Sequence, residues 1–132
     1  MDAAAAIADL KQISTQIDRV VIASHDGTVE ACSIADPASA SRMAVAARDL
    51  CDAAERARVA LGRDDLSQLE VATPDGSVFA VRDATRLVCA VTRPDPTVGL
   101  VFYDLKTCLR SIADDRIASE TGDEEGGTDG AS

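Results

Sequence analysis

The amino-acid pattern predicts an α/β sandwich: a five-stranded antiparallel sheet, strand order 2-1-5-4-3, between one long helix and a pair of shorter ones. Three observations carry this expectation. Apolar residues recur at helical spacing in three separate stretches. Two hairpin signals, Asp26-Gly27 and Pro74-Asp75-Gly76, sit between β-rich runs. The strands also divide into runs that are apolar on both faces and runs that alternate, as a covered sheet with polar edges requires.

The first helix runs from Asp2 to about Ser14, with Ala3, Ala6, Ile7, Leu10 and Ile13 three and four apart and Asp2 placed to cap the first turn. Arg19 opens the first strand, Val20-Val21-Ile22-Ala23, and Thr28 to Cys32 form the second. Between them Asp26-Gly27 suggests a type I′ turn, which needs positive φ at both central positions. Asp36-Pro37 supplies an N-cap with proline at the first helical position, and an alanine-rich second helix runs to Leu61, where Gly62 ends it. Leu66 to Val71 and Ser77 to Val81 make the third and fourth strands, and Arg86 to Val91 the fifth, after the link Asp83-Ala84-Thr85. Arg93-Pro94-Asp95-Pro96 stops the sheet. Val98, Val101, Leu105, Cys108, Leu109 and Ile112 then mark a third helix that frays near Ile117.

The strand order follows from the faces. Strands one, four and five are nearly continuous in apolar residues and belong in the middle; strand two carries Glu30 and strand three carries Gln68 and Glu70, so these belong at the edges. The second helix then covers one face of the sheet, and the first and third cover the other.

A chain of 132 residues with 46% hydrophobic content has material for one core. The domain is expected over residues 1–118. Residues 119–132 hold Glu120, Asp123, Glu124, Glu125 and Asp129 among Gly, Ser, Thr and Ala, a composition too polar to offset the entropy of ordering, so an acidic disordered tail is expected there. That tail carries half of the net charge of −10. Such a balance argues against nucleic acid, which needs a basic surplus. The only aromatics are Phe79, Phe102 and Tyr103, too few to stack a base or a flavin.

Chemistry is scarce. Cys32, Cys51, Cys89 and Cys108 stand 19, 38 and 19 residues apart, which matches no usual zinc spacing, and each lies in an apolar run as a small buried hydrophobe would. His25, the single histidine, reads as a hairpin-tip residue. Gly126-Gly127-Thr128-Asp129-Gly130 follows no strand and lacks lysine, so it is no phosphate loop. The reading is therefore a non-enzymatic chain with no catalytic residues, cofactor or metal. The start of the chain lacks a basic segment and a long apolar segment, and no apolar stretch approaches the ~20 residues of a membrane span, so a cytoplasmic protein without membrane insertion is expected.

The second helix is the most informative element. Placed at about 100° per residue, Arg48, Asp49, Asp52, Glu55 and Arg56 share a polar arc with Val45 and Val59, and the remainder is apolar or small over about 200°, roughly twice what one sheet face needs. Met43, Leu50 and Leu61 form the bulky centre, suited to the sheet. Ala46, Ala53, Ala57 and Ala60 form a small-residue flank against which another helix can approach closely. Arg56, Arg58 and Arg63 either reach outward to a partner or belong to a solvated face in which Arg48, Asp52 and Arg56 pair at spacing four.

The hairpin Val20-Val21-Ile22-Ala23-Ser24-His25-Asp26-Gly27, the long alanine-rich helix, the hairpin at Asp75-Gly76 and Val98-Gly99-Leu100-Val101 opening the last helix, in the order α-β-β-α-β-β-β-α, together resemble the Roadblock/dynein light chain family. The likeness covers residues 2 to about 116 and is strongest to bacterial or archaeal, MglB-like members, since the acidic tail and low aromatic content depart from the dynein-associated ones. It implies a profilin-like fold and a homodimer in which the second helix packs antiparallel on its twin and the third strands pair edge to edge. Ala46, Ala53, Ala57, Ala60, Leu69 and Val71 would form that dimer interface. It further implies a Ras-like small GTPase as partner, scaffolded or regulated, in some members through GTPase activation without an arginine finger. Val45, Arg48, Asp52, Arg56 and Val59 would be left to meet it. The alternative is a ligand-sensing PAS- or profilin-like signalling domain, which requires a pocket of ~300 Å³ or more lined by mixed polar and aromatic groups.

Overall fold

The computed structural model describes residues 1–64 and 66–128, with side chains through residue 113 apart from Asp65. Its elements are α1 (Ala3–Ile13), β1 (Ile17–Ser24), β2 (Val29–Cys32), α2 (Pro37–Ala60), β3 (Gln68–Thr73), β4 (Gly76–Arg82), β5 (Arg86–Thr92) and α3 (Val98–Thr128). The five strands form one antiparallel sheet in the order β2-β1-β5-β4-β3, as the distribution of polar residues predicts. Two cores lie on its two faces. Val20, Ile22, Phe79, Val81, Val88 and Ala90 point toward α1 and α3; Val21, Ala23, Leu87 and Cys89 point toward α2.

Local sequence accounts for most element ends. Asp2 accepts a hydrogen bond from the Ala5 N–H at 2.8 Å and caps α1. At the other end, the Lys11 ammonium donates to the carbonyls of Ile17 and Asp18 at 2.9 and 3.1 Å, holding the helix against the strand that follows. Asp36 caps α2, accepting from the Ser39 hydroxyl at 2.8 Å, and Pro37 opens it. The Gln16 side-chain oxygen accepts from Thr97 N–H at 2.6 Å, and its carbonyl accepts from Arg93 N–H at 3.1 Å, so the α1–β1 link also anchors the start of α3.

Three details differ from the sequence expectation. The first hairpin is not a type I′ turn: of its tip residues only Gly27 has positive φ, at 90°. Gly27 N–H bonds the Ser24 carbonyl and Ser24 N–H bonds the Thr28 carbonyl, so His25-Asp26-Gly27 is a three-residue loop with glycine in the left-handed position. Asp26 braces the loop: its carboxylate accepts from the Ser24 hydroxyl and from Thr28 N–H at 2.9 Å, bonds that lower its pKa to about 2. Second, β1 begins at Ile17, ahead of Val20, because Ile17 and Arg19 find partners in Thr92 and Val91. Third, α3 continues past Ile117, and no proline follows Pro96 to stop it. The expectation of a disordered tail over residues 119–132 falls on residues whose side chains, and for the last four whose backbone, lie outside the description.

Two aromatics join the layers: Phe79 in β4 meets Phe102 in α3 edge-on, with ring centres 5.0 Å apart. Gly76, at the start of β4, lies so close to β5 that a Cβ there would stand 2.1 Å from the Thr92 carbonyl oxygen, at φ +146°. Gly76→Ala should therefore destabilise the fold by well over the ~1 kcal/mol of an average substitution, measurable by urea unfolding.

Between α1 and α3, Asp104 is buried beside Ser14. Burial raises its carboxyl pKa, and the Ser14 hydroxyl opposes that rise only in part, being close but without a hydrogen bond of good geometry. A raised folded-state pKa means that the native state holds the proton more tightly than the unfolded chain. The stabilisation is complete below the ordinary aspartate range and is lost as pH rises through the folded-state value. Asp104→Asn should raise the urea midpoint at neutral pH and flatten the dependence of stability on pH across the acidic range.

Candidate functional site

The surface that stands out is built on α2. Its sheet-facing residues are Ala40, Ala44, Ala47 and Cys51, all at most 3% exposed and spaced four, three and four apart. This corrects the expectation that Met43, Leu50 and Leu61 form the centre of the sheet-facing stripe, since of these Met43 alone packs against that core, at its margin. Met43 and Leu50 are only half-buried, and Leu61 lies past the helix end at 73% exposure. The helix presents its smallest side chains to Val21, Ala23, Leu87 and Cys89 because the sheet face supplies the bulk, and small residues let the helix axis come close.

α2 meets β1, β2 and β5, and β3 and β4 extend beyond it. An apolar groove of about 360 Å³ is left between the helix and the outer strands, lined by Met43, Ala46, Leu50, Val71, Val78 and Val91. In the β3–β4 register Leu69 stands opposite Ala80 and Val71 opposite Val78, so both β3 residues lie on the α2 face. Val71 is 41% exposed. The outer edge of β3 pairs with no strand among the described residues.

Of the residues expected at a dimer interface, Ala46 and Val71 line this groove; Ala53, Ala57 and Ala60 are exposed farther along α2, and Leu69 is half-buried on β3. The residues expected to meet a partner lie on the outer arc. Val45 and Val59 are 39% and 62% exposed, and Asp52 and Arg56 are exposed. Arg48 is held: its guanidinium donates to the Asp26 carbonyl at 3.1 Å and pairs with Asp49 at 2.8 Å, rather than with Asp52 at spacing four. It ties the helix to the first hairpin.

Arg58 turns inward, unlike Arg56 and Arg63. It pairs with Glu55, whose other oxygen takes Arg82 of β4 at 2.6 Å. Hydrogen bonding from Arg58 and the two positive charges hold the Glu55 carboxyl below its ordinary range. This cluster clamps the second half of α2 to the sheet and was not legible in the sequence, because Glu55 and Arg82 are 27 residues apart. His25 is a turn residue, as expected, and its Nε2–H donates to the Asp83 carbonyl at 2.8 Å, joining the first hairpin to the β4–β5 turn.

No group of three or more metal-ligating side chains comes together among the described residues. The four cysteines are thiols; burial pushes Cys89 up to about 12 and Cys108 up to about 11, so neither is poised as a thiolate. No described helix is long and apolar enough to cross a membrane.

A family model, the Roadblock/LC7 domain, matches residues 6–92. The chain belongs to the Roadblock/LC7 family. The family is one of small-GTPase-associated regulatory scaffolds. The matched region runs from α1 to the end of β5 and includes the whole α2–β3 face. No functionally curated protein matches the chain in sequence.

Among solved structures, a Roadblock/LC7 domain from Streptomyces avermitilis superposes with a TM-score of 0.80 at 20% identity, covering 89% of this chain and 99% of that one. MglB of Myxococcus xanthus superposes at 0.70 with 9% identity, covering 88% and 92%. The gliding protein MglB of Thermus thermophilus superposes at 0.68 with 16% identity, covering 87% and 89%. At these identities the likeness is one of fold, and it extends past the matched region to α3.

The close approach of α2 to the sheet can be tested at its centre. Ala44 is fully buried, and Ala44→Leu in this Roadblock/LC7 domain should cost ~1–3 kcal/mol by overpacking. The corresponding change at exposed Ala53 should leave the monomer fold intact, as judged by circular dichroism.

Proposed function

We propose that this chain is a non-enzymatic, homodimeric scaffold that binds and regulates a Ras-like small GTPase. The observation that carries the reading is the apolar groove between α2 and β3, open at the surface and bordered by an unpaired strand edge. A long flat edge beside exposed apolar side chains is a pairing and aggregation hazard in a monomer. A second copy with its α2 antiparallel to the first and its β3 paired edge to edge would cover both features at once. Ala46, Ala53, Ala57 and Ala60 would allow the helices close approach, and Leu69 and Val71 would join the seam.

The outer arc of α2 then remains free on both copies. Val45, Asp52, Arg56 and Val59 offer apolar contact and charge of both signs there, and Arg48, fixed by Asp26 and Asp49, is preorganised on the same arc. These residues suit docking against the switch region of a GTPase, with the nucleotide held by the partner alone. Family membership supports the GTPase part of the reading. The alternative of a ligand-sensing domain is less well supported: this groove and two further open clefts, of about 330 and 460 Å³, reach the size required, but none of the three is lined by Phe or Tyr.

Light scattering should give twice the chain mass, and Val71→Lys should convert the protein to a monomer that keeps its helical circular dichroism. Hydrolysis of GTP by small GTPases of the same genome, measured with and without the chain, should change for one of them, and Arg56→Glu with Val59→Asp should abolish that change while leaving the dimer intact. A wild-type monomer would remove the dimer. Absence of binding to every such GTPase would remove the partner.

A further inference from the structure

A second groove, of about 330 Å³, lies on the opposite face of the sheet between α3 and the end of β4, away from the α2 surface. Val81, Leu109 and Ala113 line it with apolar groups, and Arg82, Lys106 and Arg110 bring basic ones. Cations are in the minority in a chain of net charge −10, and several are consumed internally. Arg48 is taken by Asp49, Arg58 and Arg82 by Glu55, and Arg86 by Glu30.

Lys106 and Arg110 are different. Both are exposed, and neither forms an ion pair among the described residues. Asp83, the acid of this groove, forms no ion pair with either: its carboxylate accepts from the N–H groups of Thr85 and Arg86 at 2.9 and 2.8 Å, so its charge stays at the β4–β5 turn. The groove therefore keeps two available positive charges beside an apolar floor.

Tyr103 extends the same helix face, three residues before Lys106 and seven before Arg110. It is the only tyrosine of the chain and is 65% exposed, whereas Phe79 and Phe102 pack together inside. Tyr103 does not line the groove itself; an exposed tyrosine on the same helix face as two cations adds contact area next to it at a small entropic cost.

We infer that the α3–β4 groove is a docking site for an acidic segment of a partner protein. One apolar side chain of that segment seats over Val81, Leu109 and Ala113, its carboxylates pair with Lys106 and Arg110, and Tyr103 meets the segment where it continues along α3. Charge complementarity selects the occupant. A nucleic acid or an anionic membrane needs a broad basic surface with many phosphate contacts, whereas Lys106 and Arg110 match the few carboxylates of one short segment. The apolar floor, for its part, asks for a side chain that an inorganic anion does not have.

The test uses the full chain and fluorescence anisotropy with short labelled peptides: one of glutamate with leucine at every fourth position, one with lysine in place of glutamate, and one of residues 119–132 of this chain. The glutamate–leucine peptide should bind saturably and more weakly as salt is raised, and the lysine peptide should not bind. Lys106→Glu with Arg110→Glu should weaken binding at least ~10-fold, and Tyr103→Ala by about 5-fold or more. The neutral pair Lys106→Gln with Arg110→Gln gives an intermediate loss and guards against misfolding of the charge-reversed variant. The proposal is overturned by any of four results: no binding of the glutamate–leucine peptide, equal binding by the charge-reversed variant, tighter binding of the 119–132 peptide, or binding to phosphatidylserine vesicles instead.

Discussion

The close seating of α2 on the sheet governs the rest of the molecule. Ala40, Ala44, Ala47 and Cys51 present almost no side-chain bulk, so the helix settles into contact with Val21, Ala23, Leu87 and Cys89. Close packing of this kind is specific as well as stabilising, since a single added side chain has nowhere to go. It also fixes where the helix lies. Seated over β1, β2 and β5, α2 leaves the last two strands uncovered on its face, and the groove beside Val71 and Val78 follows from that offset.

Electrostatics then locks the middle and the second half of α2 in place. Arg48 reaches the first hairpin through the Asp26 carbonyl, and Glu55 gathers Arg58 and Arg82. These side chains are partly exposed, so each pair contributes modestly on its own. Their consequence is geometric. They tie α2 to the first hairpin and to β4, and the groove stays open beside them. The protein thus retains an exposed apolar face, which a single small domain would ordinarily be expected to hide.

The opposite face is organised by a different rule. α1 and α3 pack on each other as well as on the sheet, and bulky side chains such as Leu10, Leu105 and Phe79 fill that layer. The Phe79–Phe102 contact and the Gln16 bonds to Thr97 and Arg93 set the position of α3. Its outer face is left with Tyr103, Lys106 and Arg110, so the two faces of the domain offer unlike surfaces: apolar and small on α2, basic and aromatic on α3.

The amino-acid sequence by itself determined the number, type and order of the elements and the order of the strands. Asp-Gly turns, helix caps and the face on which polar residues fall are local properties, readable without knowing what packs where. It also marked α2 as too apolar for one sheet and pointed to the Roadblock/LC7 family. Only the tertiary structure decided which stripe of α2 meets the sheet. Leu50 and Ala47 both lie on the apolar arc, and the choice between them depends on the bulk that Val21, Leu87 and Cys89 already supply from distant strands. For the same reason the Glu55–Arg82 clamp, the close approach of Gly76 to Thr92 and the groove under Lys106 and Arg110 were not legible in sequence. Each depends on residues far apart in the chain, and periodicity along one element carries no information about its neighbour across the core.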